Sequence, residues 1–101
     1  MKQLGALEQI PMRHRSTHFS HVFAGGYSAG YYSYMWSEVL DCDGFAAFEE
    51  TGDIFHAETA RRLKAHVYSR GNTVDWNEGY KAFRGKAPSV EPLLQNRGLS
   101  Q

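Results

Sequence analysis

The chain has 101 residues, 11 Lys plus Arg against 11 Asp plus Glu, and one cysteine. That length holds one small domain, and the balanced charge leaves no electrostatic footprint for nucleic acid or an anionic membrane. Cys42 alone excludes an internal disulfide and points to a reducing, cytoplasmic setting, and no apolar run approaches the length of a membrane span.

In chain order, Met1–Glu8 reads as the end of a helix with Leu4 and Leu7 on one side. No Ser, Thr, Asp or Asn caps its start, so it begins as if in mid-helix, and it lacks the apolar core of a signal peptide. Pro11 stops it. Met12–Ser20 reads as irregular or extended, because its hydroxyl side chains compete with helix. A central helix is expected from about Gly26 to Leu40. It extends toward Glu50, since Phe45 and Phe48 keep the helical period across the kink-like Asp41-Cys42-Asp43-Gly44. Asp41 and Asp43 raise the question of a calcium loop, but Gly44 in the fourth place and no closing acidic residue spoil that pattern. Thr51-Gly52-Asp53 supplies a glycine stop.

A second helix is expected from Ala57 to Tyr68. Ala60, Leu63, Ala65, Val67 and Tyr68 form its apolar side, while Arg61, Arg62 and Lys64 face water. A third runs from Asp75 to Phe83, capped by Thr73 or Asp75, with Trp76, Tyr80 and Phe83 at helical spacing. Val90–Gln95 forms one or two turns with Leu93 and Leu94 inward, and Asn96-Arg97-Gly98 ends them. No segment alternates as a strand does. The class is therefore all-α: a small bundle of three main helices plus short terminal helices. Two Trp, six Tyr and six Phe exceed what so small an interior hides, so some must cover a partner or line a groove.

The stretch from His21 to Trp36 concentrates the chemistry. As a helix after Gly26 it stacks Tyr27, Tyr31 and Tyr34 at i, i+4 and i+7 on one face, leaving Tyr32 off the stripe as packing. Buried phenols need hydrogen-bond partners, and a phenol can donate to an oxyanion. The plainer interpretation of the same stripe is an amphipathic core face with its hydroxyls at the rim. Gly25-Gly26 permits a sharp turn or close approach of another chain to the backbone. His14, His18 and His21 would share a face if helical, a spacing that can hold zinc. The segment follows a proline and is rich in Ser and Thr, which opposes that helix.

Four runs carry a resemblance: Arg-Ser-Thr-His-Phe-Ser-His at 15–21, Gly-Gly-Tyr-Ser-Ala-Gly-Tyr-Tyr-Ser-Tyr at 25–34, Arg-Gly-Lys-Ala-Pro at 84–88, and Glu-Pro-Leu-Leu-Gln-Asn-Arg-Gly-Leu at 91–99. From about Pro11 to Leu99 the chain resembles the C-terminal segment of the thimet oligopeptidase and peptidyl-dipeptidase family of zinc metallopeptidases, the bacterial peptidyl-dipeptidase branch above all. The resemblance implies that Tyr34 stabilises the oxyanion, that Tyr27 hydrogen-bonds substrate near the scissile bond, and that His21 contacts the substrate backbone. It makes Tyr31 a further substrate-side phenol and Gly25-Gly26 the turn past which the peptide runs.

In that family zinc is held by an H-E-x-x-H helix and a later glutamate, with the motif's glutamate as general base. This sequence contains no H-E-x-x-H. The expectation is therefore a single segment, residues 1–101, lacking the zinc-site portion. It binds no zinc alone and is inactive alone. Its partners are a short peptide substrate, the missing upstream portion, and a second copy through the aromatic face around Tyr27–Trp36. Two alternatives come from other classes: a stand-alone α-helical protein- or peptide-interaction domain without catalysis, and a small metal-binding protein using His14, His18 and His21.

Overall fold

The computed structural model describes Gly5 and residues 7–99. Contacts divide the chain into two compact units, Met1–Ser33 and Tyr34–Gln101. Helices supply the regular structure, and no strand occurs among the described residues.

The first unit is built from tight turns. Of the helix expected over Met1–Glu8, Met1–Leu4 and Ala6 lie outside the described residues. Gly5 has φ 72, which a right-handed helix does not admit, and Ile10 N–H closes a turn onto Leu7 O at 3.2 Å. Single 3₁₀ turns follow at Ser16–His18, Ser20–Val22 and Gly25–Tyr27. Met12–Ser20 is thus irregular, as its hydroxyl-rich sequence predicts.

The central helix begins later than its hydrophobic period suggests, and this is a correction. Tyr27–Gly30 forms a type II turn: Ser28 has φ −52 and ψ 122, Ala29 has φ 56, and Gly30 N–H donates to Tyr27 O at 2.9 Å. Ser28 Oγ donates to Gly25 O at 3.0 Å, the local side-chain bond that competes with helix. Gly25, Gly26, Ala29 and Gly30 cannot offset this, because each offers little packing and glycine adds an entropic cost. Gly30 consequently lies outside the helix. The nearest atoms to a Cβ there are its own turn's carbonyl oxygens.

In the second unit, helix α1 (Ser33–Glu49) runs unbroken through Asp41–Gly44. Its buried residues Val39, Asp43 and Ala47 recur every fourth position and so share one face. Gly52 at φ 76 ends it, with Thr51 Oγ1 donating to Phe48 O at 2.7 Å. Helix α2 (Ala57–Leu63) starts at His56, whose Nδ1 accepts from Thr59 N–H. It passes into a π turn, Lys64–Tyr68, closed by Ser69 N–H on Lys64 O at 2.9 Å. Buried Thr59 and half-buried Arg62 depart from the expected apolar side of this helix, and Ala60 and Tyr68 are exposed. The π turn rotates the faces that an ideal helix would keep aligned.

Helix α3 (Trp76–Arg84) is capped by Asp75, whose Oδ1 accepts from Asn77 and Glu78 N–H, and it ends at Gly85 with φ 80. Helix α4 (Glu91–Asn96) ends at Gly98, where Leu99 N–H returns to Leu94 O at 2.8 Å. Ser100 and Gln101 lie outside the described residues. The core joins Ala47 of α1 to Tyr80 and Phe83 of α3, with Leu40, Phe48, Leu63 and Val67 packed around them. Arg97, just beyond α4, pairs with Glu38 of α1.

Candidate functional site

In the first unit the candidate residues gather around one ring. Tyr31 is half-buried, and its ring centroid lies 5.0 Å from Phe19, 5.2 Å from His21 and 5.4 Å from Tyr27. Phe19 and Tyr27 meet it edge-on, the geometry that aligns a positive ring edge with a negative face. His21 itself remains exposed. Tyr27 closes the 3₁₀ turn that begins at Gly25. Gly25 needs its glycine because φ is 76, while a Cβ on either Gly25 or Gly26 meets no atom within 4 Å. Backbone at both glycines is therefore open to an approaching chain.

The helical stripe is corrected at the same point. Tyr27 ends one turn, Tyr31 follows the next, and only Tyr34 stands in a helix, in the first turn of α1. The shared helix face is absent; ring contacts, rather than a register of seven, bring Tyr27 and Tyr31 together. Tyr34 is 56% exposed, so its phenol is not a core group of the second unit. Tyr32 is 74% exposed, which corrects its assignment to packing.

The three upstream histidines also lack a common helix face. His14 and His18 meet edge-on at 6.1 Å, His18 Nδ1 accepts from Arg15 N–H at 3.3 Å, and His21 belongs to the Tyr31 cluster. No group of three His, Cys, Asp or Glu side chains arranged for a metal occurs among the described residues. As placed, His14, His18 and His21 do not form a zinc ligand set.

The second unit contains two features that sequence reasoning left aside. One is a buried polar network. Asp43 Oδ2 accepts from the Tyr80 hydroxyl at 2.6 Å and from Arg84 Nε at 3.3 Å, and Asp43 Oδ1 accepts from Ser89 N–H at 3.3 Å. Arg84 then spans outward, its two terminal nitrogens donating to the Glu50 carboxylate at 2.6 and 2.7 Å. Hydrogen bonding to Arg84 holds the Glu50 carboxyl below the usual carboxylate range. Burial, reinforced by the Asp43 carboxylate, pushes the Tyr80 phenol well above the usual phenol range. The signal was present in the sequence: a carboxylate at the same four-residue spacing as Val39 and Ala47 must be buried and must find a partner.

The other feature is an apolar groove of about 390 Å³ between α1, the π turn and α3, lined by Trp36, Leu40, Phe48, Val67, Trp76 and Phe83 among others. No helix among the described residues is long and apolar enough to cross a membrane.

The sequence profile of Peptidase family M3 matches residues 1–99. The chain is 46% identical over 94 residues to a dipeptidyl carboxypeptidase of Escherichia coli, covering 93% of this chain and 14% of that protein. It is 43% identical over 100 residues to an oligopeptidase A of Escherichia coli, covering 98% and 15%. A probable cytosolic oligopeptidase A of Arabidopsis thaliana is 49% identical over 84 residues, covering 80% and 12%. The chain spans about one-seventh of the length of the bacterial relatives. The chain belongs to peptidase family M3.

Proposed function

We propose that this chain is the C-terminal, substrate-facing segment of a zinc metallopeptidase that hydrolyses short peptides, and that alone it turns over no substrate. The observation that carries the reading is the assembly of His21, Tyr27 and Tyr31 into one cluster whose glycine turn leaves its backbone open. An extended peptide needs such an edge, with donors beside it. In this reading His21 contacts the substrate backbone and Tyr27 hydrogen-bonds the peptide near the scissile bond. Tyr31 holds the cluster together and adds a phenol on the substrate side.

Tyr34 has a separate task. Its phenol donates to the scissile carbonyl oxygen as that oxygen gains negative charge, an interaction stronger in the transition state than in the ground state. One such donor contributes about 3–4 kcal/mol. The metal and the general base come from residues that this chain does not contain, in the upstream portion of the polypeptide. A cytoplasmic setting goes with this proposal, supported by the free thiol of Cys42.

The test is a peptidase assay on the chain alone and again with the upstream portion supplied in trans. Turnover is expected only in the second case. In a full-length enzyme containing this segment, Tyr34→Phe is expected to lower kcat by about a hundredfold with KM little changed. Turnover by the chain alone, or an unimpaired Tyr34→Phe enzyme, overturns the reading.

The aromatic groove of the second unit favours a second reading, a non-catalytic module that binds a helix or a second copy of itself. Sedimentation of the chain at rising concentration tests self-association. A Trp36→Ser variant that stays monomeric, beside a wild type that pairs, supports it.

A further inference from the structure

Asp43 is fully buried in the middle of α1. Its bonds converge from two directions: from Tyr80 and Arg84, one turn apart on α3, and from the Ser89 backbone after it. Arg84 Nε also donates to the Asp43 carbonyl oxygen at 3.1 Å, and the Tyr80 hydroxyl lies 3.4 Å from Leu40 O. Side chain and main chain of α1 are therefore gripped together. Apolar packing is non-directional and tolerates small rotations of a helix about its axis. Hydrogen bonds weaken steeply with angle, so this network opposes such rotation.

Tyr34 precedes Asp43 by nine residues, so the two side chains leave α1 on opposite faces, about two and a half turns and about 13–14 Å apart along the axis. Exposure agrees, with Asp43 inside and Tyr34 more than half open. Side chains reach about 5–6 Å from a helix axis, so a rotation of about 10° carries a phenol about 1 Å sideways. A displacement of that size at a reacting group costs up to about a hundredfold in rate.

We propose that Asp43, Tyr80 and Arg84 are positioning residues that lock the rotation of α1 and so set the aim of the Tyr34 phenol. The proposal rests on the oxyanion role given to Tyr34 above. The side chains of the network are buried, that of Arg84 being 5% exposed. The network acts through Tyr34, and that makes it separable from a purely structural contribution.

The experiment is a double-mutant cycle in the full-length peptidase containing this segment, with kcat and KM measured on a short peptide and melting temperature recorded for each variant. Tyr80→Phe removes the 2.6 Å bond to Asp43 and keeps the ring. It is expected to lower kcat about tenfold and to leave KM within about twofold. In a Tyr34→Phe background the same substitution is expected to leave kcat unchanged, because no hydroxyl remains to aim. An equal tenfold loss in both backgrounds, or none in either with Tyr34→Phe itself impaired, overturns the positioning role and spares the Tyr34 reading. An unimpaired Tyr34→Phe enzyme overturns the Tyr34 reading and the positioning role with it. If Tyr80→Phe is unfolded at the assay temperature, Arg84→Lys takes its place in the same cycle. Lysine keeps the charge but cannot bridge Asp43 and Glu50 as a planar fork does.

Discussion

Replacing Arg84 by methionine keeps most of the buried stem and removes the guanidinium. The Arg84 and Asp43 side chains are 5% and 1% exposed, so water does not take the lost partner's place. Asp43 retains the Tyr80 hydroxyl at 2.6 Å and Ser89 N–H at 3.3 Å but loses its countercharge. Breaking a buried pair from one side costs about 3–5 kcal/mol, and the two surviving donors place this case near 3. Glu50, with its side chain 54% exposed, adds at most about 1 kcal/mol through the lost ion pair. A unit the size of Tyr34–Gln101 has a total stability of about 3–10 kcal/mol, so the loss takes from about a third of that total to all of it. Urea unfolding of the chain, followed by far-ultraviolet circular dichroism, is expected to show a midpoint lowered by about 2–3 M. Asp43→Asn in the Arg84→Met background should recover part of the loss, because no buried charge then lacks a countercharge. A loss below about 1 kcal/mol with no recovery in the double variant refutes the reasoning. It would mean that the Asp43 carboxylate reaches solvent.

Three further outcomes follow from the geometry. Two helical glycines should respond with opposite sign to alanine. At Gly44 a Cβ meets Phe83 and Tyr80 at ordinary distances of 3.8 and 3.9 Å, so Gly44→Ala should stabilise by up to about 1 kcal/mol through helix propensity. At Gly79 it lies 2.8 Å from the His66 carbonyl oxygen, so Gly79→Ala should destabilise by about 1–3 kcal/mol in the same urea titration. Ala29→Gly should stabilise the first unit slightly, by at most about 1 kcal/mol, since Ala29 holds φ 56 at the turn position that favours glycine; amide hydrogen exchange at Gly30 reads this locally. The folded Tyr80 phenol ionises above its unfolded value of about 10. The stability it contributes is therefore intact below that pH and lost as pH rises through the folded value. Tyr80→Phe should remove this alkaline fall, and parallel pH profiles for the two proteins would count against the buried bond to Asp43.

The sequence made some of this legible because its signals were local. Asp75 announced a cap, Gly52 and Gly98 announced stops, and each acts within one turn of its own position. The peptidase lineage was legible because long runs of specific residues carry it. The tyrosine spacing misled because a period of three and four residues is a statement about side chains. The backbone from Gly25 to Gly30 is governed instead by a left-handed Ala29 and a serine that bonds its own turn. Ring contacts between turns, which no helical period describes, bring His21, Tyr27 and Tyr31 together instead. Asp43 was harder: its partners on α3 lie about forty residues downstream, and nothing in the local pattern names them. The π turn left no mark in composition at all.

That π turn works as an inserted residue that the helix absorbed instead of looping out. Its hydrogen bonds step back by five residues, so Lys64–Tyr68 holds one residue more than an α-helical path across the same gap. A single-residue deletion inside 64–68 is therefore expected to relax the segment to ordinary helix, whereas a deletion in α1 would throw Asp43 off its partners. The π turn takes its extra residue within one turn, so the flanking helix keeps its faces after the deletion, and Leu63 and Val67 stay on the groove side. Gapped alignments among relatives should place length variation here, with the groove-lining positions on both sides of the gap kept apolar.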